Sequence, residues 1–307
     1  MTLQQLKYVI GIVNYGSITE AAKQLFISQP SLSNAVKELE NQLGIEIFNR
    51  SSKGITLSAE GTEFLSYARQ VVEQADLLEQ RYLYRKPLKS LCSFSTQHYA
   101  FAINSFVDLV TEFDGDEYEF TLRETRTYEI IDDVKKFHSE VGILYMSQFN
   151  QNVLSNILKD NNLVFHPLFE ASPHIFISSK HPLAHRQSVS TDDLTPYPFL
   201  TFEQGEMNSF YFSEEMLSIL PRNKIIHVSD RATLFNLVIG LNGYTISTGV
   251  LTRDLNGDQI IAIPLESDET MLVGWIENPR LRLSTFAEKY ITKLKSHIAH
   301  HGFTLLS

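Results

Sequence analysis

Between Gly16 and Gly44 the chain reads GSITEAAKQLFISQPSLSNAVKELENQLG, and no other stretch restricts the fold so far. Ser17 opens the four residues SITE, a capping-box pattern with Glu20 at its third helical position, and Ala21, Ala22 and Leu25 follow on one face. After the short FIS connection a second helix is predicted, because Leu32, Val36, Leu39 and Leu43 recur at spacings of four, three and four. Its first two turns are crowded by Ser28, Gln29, Ser31, Ser33 and Asn34, residue types that weaken a helix interior by competing for backbone hydrogen bonds. Two helices joined by a tight connection, the second with a polar N-terminus, make a helix-turn-helix. Short donors and acceptors at such an end suit a base edge or a phosphate. On these residues alone, an ordinary capped surface helix stays open as the alternative.

The flanking segments extend the pattern. Leu3, Leu6, Ile10 and Val13 predict a helix that Gly16 stops. IEIFNR and GITLS are short alternating runs on either side of SSKG, which reads as a hairpin, or wing, with Arg50 and Lys53 placed to reach flanking phosphates or a minor groove. From Ser58 to about Arg85 one long helix is predicted. Phe64, Ala68, Val71, Ala75, Leu78 and Tyr82 form a heptad seam along it, which Leu65 and Val72 widen and Pro87 closes. A dimerising linker fits this seam; a helix lying on its own domain's core is the alternative.

Net charge of −10 argues against a nucleic-acid binder until it is divided along the chain. Residues 1–60 carry five basic and five acidic side chains, and residues 61–90 carry five against four. The remainder therefore holds −11, and phosphate attraction is unopposed only in the first 90 residues. No apolar run spans a bilayer, and MTLQQLKYVI lacks the regions of a signal peptide, so no membrane partner and a cytoplasmic location are expected. Cys92 is the single cysteine, which excludes an internal disulfide and cysteine-rich zinc sites.

Beyond Leu91 short strand and helix patterns alternate. Strands are expected at LCSFS, YEFTLRE and VGILYM, with helices near 99–113, 128–137 and 152–159. Further strands are expected at VFHPLFE, HIFISS, FLTFE, IIHVS, YTIST and IIAIPL, followed by TMLVGWIE and a helix over 284–299. This order implies α/β units with mostly parallel sheets in two lobes, and a ligand cleft outside the carboxyl ends of strands.

An enzyme is the rival class. Nucleotide-binding glycine motifs, the phosphate-loop lysine motif, His-Glu-x-x-His and Gly-x-Ser-x-Gly are all absent from the sequence, so no catalytic residue and no cofactor are assigned. His297, His300 and His301 have helix-face spacing but no evident carboxylate partner, and no metal site is assigned. Cys92, within an apolar strand pattern, reads as a buried, inert thiol. A cytoplasmic small-molecule-binding protein, or an enzyme with an accessory helix-turn-helix, is the alternative function.

Taken in order, these parts resemble a LysR-type transcriptional regulator along the full chain. The most specific stretch runs from Gly16 to Gly61, where Ala21, Ala22, Leu25, Ser28, Gln29, Ser33, Leu39, Glu40, Leu43, Gly44, Phe48, Arg50, Leu57 and Gly61 match the family's DNA-binding signature. It departs at Lys37-Glu38, where many members carry a basic pair or an Arg. The resemblance implies a winged helix-turn-helix domain over 1–58, a linker helix over 59–87 and an effector domain over 88–307. That last domain is implied to be two-lobed and similar to periplasmic binding proteins, with lobe I over 88–162 and 267–307 and lobe II over 163–266. It further implies that Ile18–Lys37 is the reading motif, with Gln29, Pro30, Ser31, Ser33 and Lys37 toward promoter DNA, joined by Ser28, Asn34, Arg50 and Lys53. Homodimers pairing into tetramers and a small-molecule inducer are implied as well. The inducer is expected at the loop Ser95-Thr96-Gln97-His98, facing Thr125, Thr127, Tyr145, Thr201, Glu203, Ser247 and Thr248. Its Ser-Thr-Gln segment is similar to a loop of cysteine-biosynthesis regulators in this family, which implies a carboxylate or sulfur-related ligand.

Overall fold

The computed structural model describes residues 1–51, 54–82, 90–205, 209–251 and 257–306, and it divides into two compact units, Met1–Leu88 and Lys89–Ser307.

The first unit is built on α1 (Leu3–Tyr15), α2 (Ile18–Gln24) and α3 (Gln29–Leu43). Each helix starts where a side chain caps it. Thr2 and Gln5 form a reciprocal capping box on α1. Ser17 accepts from the Glu20 N–H at 3.1 Å. Glu20 does not return the bond in kind; its carboxylate accepts from Gln24 Nε2 at 2.9 Å, so only half of the expected box forms. Ser28 caps α3 by accepting from the Ser31 N–H at 3.2 Å. Gly16 and Gly44 end α1 and α3 at φ 74° and 72°, a left-handed conformation that glycine adopts without strain. Leu32, Val36 and Leu39 of α3 are buried with Val9, Ile12, Ala21 and Ala22. Leu43, at the end of the same stripe, is 36% exposed.

The wing is the antiparallel pair β1 (Phe48–Ser51) and β2 (Gly54–Leu57), with Phe48 opposite Leu57 and Arg50 opposite Ile55. Glu40 of α3 anchors it, its carboxylate accepting from the N–H groups of Ile47 at 2.9 Å and Phe48 at 3.1 Å. The long helix α4 (Ala59–Tyr82) begins against this hairpin. Gly61 is required there, because a Cβ would lie 2.0 Å from the Ile47 carbonyl oxygen. Leu65 and Ala68 are buried, and Lys7 of α1 pairs with Asp76 at 2.9 Å.

In the second unit the strands are β3 (Ser90–Thr96), β4 (Tyr118–Glu124), β5 (Val141–Met146), β6 (Val164–Ala171), β7 (His174–Ser178), β8 (Phe199–Phe202), β9 (Ile225–Val228), β10 (Thr245–Ser247), β11 (Ile260–Pro264) and β12 (Met271–Glu277). One lobe is the five-stranded sheet β4-β3-β5-β12-β6. Helices α5 (Ala100–Thr111), α6 (Thr127–Lys135) and α7 (Gln151–Asp160) follow its first three strands, and α9 (Thr285–His300) follows β12. The other lobe combines β10-β7-β11 with β8-β9, linked by a bridge between Phe199 and Tyr244, and carries α8 (Arg231–Leu241).

Two expectations are corrected. The sheets are mixed rather than mostly parallel: β12 runs antiparallel to both β5 and β6, and β7 is antiparallel to both its neighbours. Strand β6, expected in the second lobe, pairs along its length with β12 of the first, so the chain first crosses between lobes after Ala171 rather than after residue 162. Phe169 and Met271 are fully buried on these two strands, and that apolar face fixes the pairing.

Candidate functional sites

Helix α3 presents two faces. Leu32, Val36 and Leu39 are inward, while Ser28, Gln29, Pro30, Ser31, Asn34 and Lys37 are exposed and Ser33 is half-buried. The exposed set occupies the helix N-terminus and its first two turns, where backbone N–H groups and the helix dipole favour a phosphate or an acceptor edge. The turn before it holds Phe26 at φ 56° and 95% exposed. Arg50 lies in β1, but its side chain and the whole of Lys53 fall outside the described residues.

On α4, Tyr67, Val71, Leu77, Leu78 and Tyr82 are 47–67% exposed, while Leu65 and Ala68 face the unit's own core. The expected heptad seam is thus divided. Ala68 serves the domain, and Val71, Leu78 and Tyr82 form an outward apolar stripe.

The second unit has a cleft between its lobes. His98, two residues beyond the end of β3, enters it from the first lobe. The His98 ring stacks on Phe202 of β8 at 3.7 Å, and its Nδ1 lies 2.8 Å from Glu214 Oε2. The His98 N–H donates to the same oxygen at 3.0 Å. Burial alone would lower the His98 pKa, but the charge and hydrogen bond of Glu214 outweigh it and the net direction is upward. A second clasp joins Arg126, just before α6, to the Glu203 carboxylate and, at 3.3 Å, to the Glu203 carbonyl.

The His98–Phe202 stack borders two chambers. One, of about 30 Å³, has walls from Phe176, Leu234, Phe235 and Val250 and polar groups from Glu214 and Thr245. The other, of about 230 Å³, is polar and includes Thr125, Arg126 and Glu203. Glu215 lies beside the first. It accepts from Thr201 Oγ1 at 2.5 Å and the Phe202 N–H at 3.0 Å, and burial together with Glu214 raises its carboxyl pKa to about 8. Burial likewise raises Glu124, whose carboxylate lies 3.3 Å from Arg231 Nε.

Of the ten residues expected at the inducer, three reach these chambers: Ser247 the first, Thr125 and Glu203 the second. The others are spent on the framework. Ser95 donates to Asp133 at 2.7 Å, and Thr96 donates to the Gln97 carbonyl at 2.7 Å. Gln97 donates to Thr127 at 2.6 Å and accepts from the Tyr145 N–H at 3.0 Å. Thr127 and Tyr145 donate in turn to the carbonyls of Phe212 and Ser213, at 2.8 and 3.1 Å. Thr201 is occupied by Glu215, and Thr248 accepts from the Val250 N–H at 3.2 Å. In this arrangement the Ser95 and Thr96 hydroxyls donate within the first lobe rather than into either chamber. His98, the last residue of the expected loop, does line the first chamber, whereas Phe202, Glu214, Arg231 and Thr245, which line it too, were not singled out by sequence reasoning. The adjacent pair Glu214-Glu215 in an otherwise apolar stretch, FSEEML, was the available signal.

Other candidates resolve into framework. Burial, then Glu140, raises the Cys92 thiol to about 12, leaving it inert. His297 does have a carboxylate partner, Asp108, at 2.8 Å. Among the described residues, no helix is long and apolar enough to cross a membrane.

A winged helix-turn-helix unit followed by a two-lobed unit with a cleft between its lobes is the arrangement of a ligand-responsive DNA-binding protein. Residues 3–62 match the bacterial regulatory helix-turn-helix protein family of the lysR type, and residues 102–291 match the LysR substrate binding domain. The chain belongs to the LysR family: it is a transcriptional regulator with a helix-turn-helix DNA-binding domain and an effector-binding domain. It is 24% identical to the HTH-type transcriptional regulator CysL of Bacillus subtilis, over 95% of this chain and 96% of that one. It is 25% identical to the HTH-type transcriptional regulator YnfL of Escherichia coli, over 91% and 92% of the two chains. Among solved structures it is similar to HinK, a LysR family regulator from Pseudomonas aeruginosa, at 21% identity, a TM-score of 0.47, and coverage of 97% and 98%.

Proposed function

We propose that α3 enters the major groove of promoter DNA, with Gln29, Ser31, Ser33 and Asn34 toward base edges, and Ser28, Pro30 and Lys37 positioning the helix. Arg50 and Lys53 of the wing would meet flanking phosphates. The observation that carries this reading is the two-faced α3, polar and exposed at its N-terminus over a buried Leu32, Val36 and Leu39 stripe. Paired half-sites need paired helices, and the outward stripe Val71, Leu78 and Tyr82 on α4 supports a homodimer, with tetramers assembled from it. A small-molecule inducer between the lobes would act by its differential affinity for open and closed arrangements, since the clasps at His98 and Arg126 break when the lobes part. In this role the protein is a cytoplasmic regulator, not an enzyme.

A gel shift with the DNA upstream of the protein's own coding region tests the proposal. Gln29→Ala should relax discrimination at particular base pairs by about 1–3 kcal/mol. Arg50→Ala should weaken binding evenly across sequences and lower the salt slope by about one. No retarded complex on this or on a randomised promoter pool would sink the reading.

A further inference from the structure

We propose that the chamber between Phe176, Glu214 and Thr245 takes a small ligand with a protonated amine and an apolar flank, the ammonium bound by Glu214 and the Thr245 hydroxyl. This rests on the cleft being the effector site and adds the chemistry of the effector.

Two polar atoms carry the argument. Glu214 is 6% exposed and Thr245 4% exposed, and both line this chamber. Glu214 Oε1 and Thr245 Oγ1 are each buried without a hydrogen-bond partner among the described residues. They come from different elements, an irregular segment after Phe212 and strand β10. A buried oxygen without a donor is costly to keep, and folded proteins rarely leave one unless it serves a site. The other charged groups nearby are already committed. His98 is on Glu214 Oε2, Arg231 is beside Glu124, and Glu215 has both oxygens engaged by Thr201 and Phe202.

The sign of the ligand follows. A carboxylate here would face the Glu214 carboxylate, at like-charge cost in a site with little water to screen it, while Glu215 keeps its proton at pH 7 and Arg231, on the same wall, is paired with Glu124. An ammonium offers three donors and no acceptor, which suits two unpartnered oxygens. Phe176, Leu234, Phe235 and Val250 supply apolar walls for a hydrocarbon tail, and an aromatic face near the charge adds attraction. At about 30 Å³ the chamber holds no such molecule without opening. Binding must therefore open the chamber, and at the His98–Glu214 contact the incoming cation competes with the imidazole for the same carboxylate.

The test is calorimetric titration of the full chain at pH 7 with shape-matched pairs: 3-methylbutylamine against 3-methylbutanoate, and 2-phenylethylamine against 3-phenylpropanoate. The amines should bind and the carboxylates should not. Glu214→Gln should weaken amine binding at least tenfold and Thr245→Val severalfold, with folding of each variant checked by Trp275 fluorescence. Tighter binding of the carboxylates, no binding of either amine at millimolar concentration, or amine affinity unchanged in both variants would overturn the proposal. Calorimetry needs no DNA, so failure of the promoter-binding reading, seen in the gel shift, is distinguishable from failure here.

Discussion

Replacing Glu215 by Gln should change how the stability of the effector unit depends on pH. Glu215 is 2% exposed, and burial followed by the neighbouring Glu214 moves its carboxyl pKa from an ordinary 4.5 up to about 8. Between those two values the folded chain holds a proton that the unfolded chain has released. Stability therefore falls as pH rises through this window and levels off above it. The gap of about 3.5 pH units, at ~1.4 kcal/mol each, sets a ceiling of ~5 kcal/mol on the loss. Glutamine keeps the shape and still accepts from the Phe202 N–H, while the Thr201 hydroxyl turns from donor to acceptor. At pH 5 the two proteins should agree within about 1 kcal/mol, and at pH 8.5 the variant should be the more stable by roughly 3–5 kcal/mol. His98, raised chiefly by Glu214 against burial, adds its own decline above its ordinary 6.5, with Glu215 the smallest of its causes, so the difference between the two proteins is the readout. Urea unfolding followed by Trp275 measures it, since this single tryptophan stands on β12 of the effector unit. Parallel curves for the two proteins from pH 5 to 9 would refute the buried, protonated Glu215.

Gly61→Ala should cost about 1–3 kcal/mol or more, because its Cβ would meet the Ile47 carbonyl at 2.0 Å and backbone must move; circular dichroism on urea unfolding of the first unit would show it. Thr96→Val should cost about 1 kcal/mol of effector-unit stability, since Thr96 is fully buried and donates to the Gln97 carbonyl, and no ligand contact is lost with it. A stable variant with lost ligand affinity would reverse that assignment. Leu78→Asp lies at a position 61% exposed, so the unit should unfold as before while the dimer dissociates in sedimentation analysis. A variant that stays dimeric would remove α4 from the interface.

The N-terminal unit was legible because its signals are local. Caps at Ser17 and Ser28, stops at Gly16 and Gly44, and the spacing of Leu32, Val36 and Leu39 each act within one helix. The strand order of the effector unit was not, because it depends on partners far apart in sequence. Strand β6 precedes β7 by two residues, yet it pairs with β12, about a hundred residues later. Helix α8 was missed for a local reason. RATLFNLVIGL is apolar on most sides, so no polar face marks its period, although Asp230 caps it by accepting from the Thr233 N–H at 2.8 Å.

The candidate ligand site shows where residue-type reasoning fails. Ser95, Thr96 and Gln97 are suitable in type to bind a small anion, but each is turned into the framework by a partner at Asp133, Gln97 or Thr127. Glu214 and Glu215 are adjacent and chemically identical, yet they do opposite things. Glu215 sits under β8, and although the bonds from Thr201 and the Phe202 N–H favour its carboxylate, burial and Glu214 outweigh them and keep it protonated and internal. Glu214 meets His98 from the other lobe with one oxygen and lines the chamber with the other. Which carboxylate is framework and which is site follows from contacts with residues 98, 201 and 202, so the charge a ligand meets is set only once the two lobes have folded together.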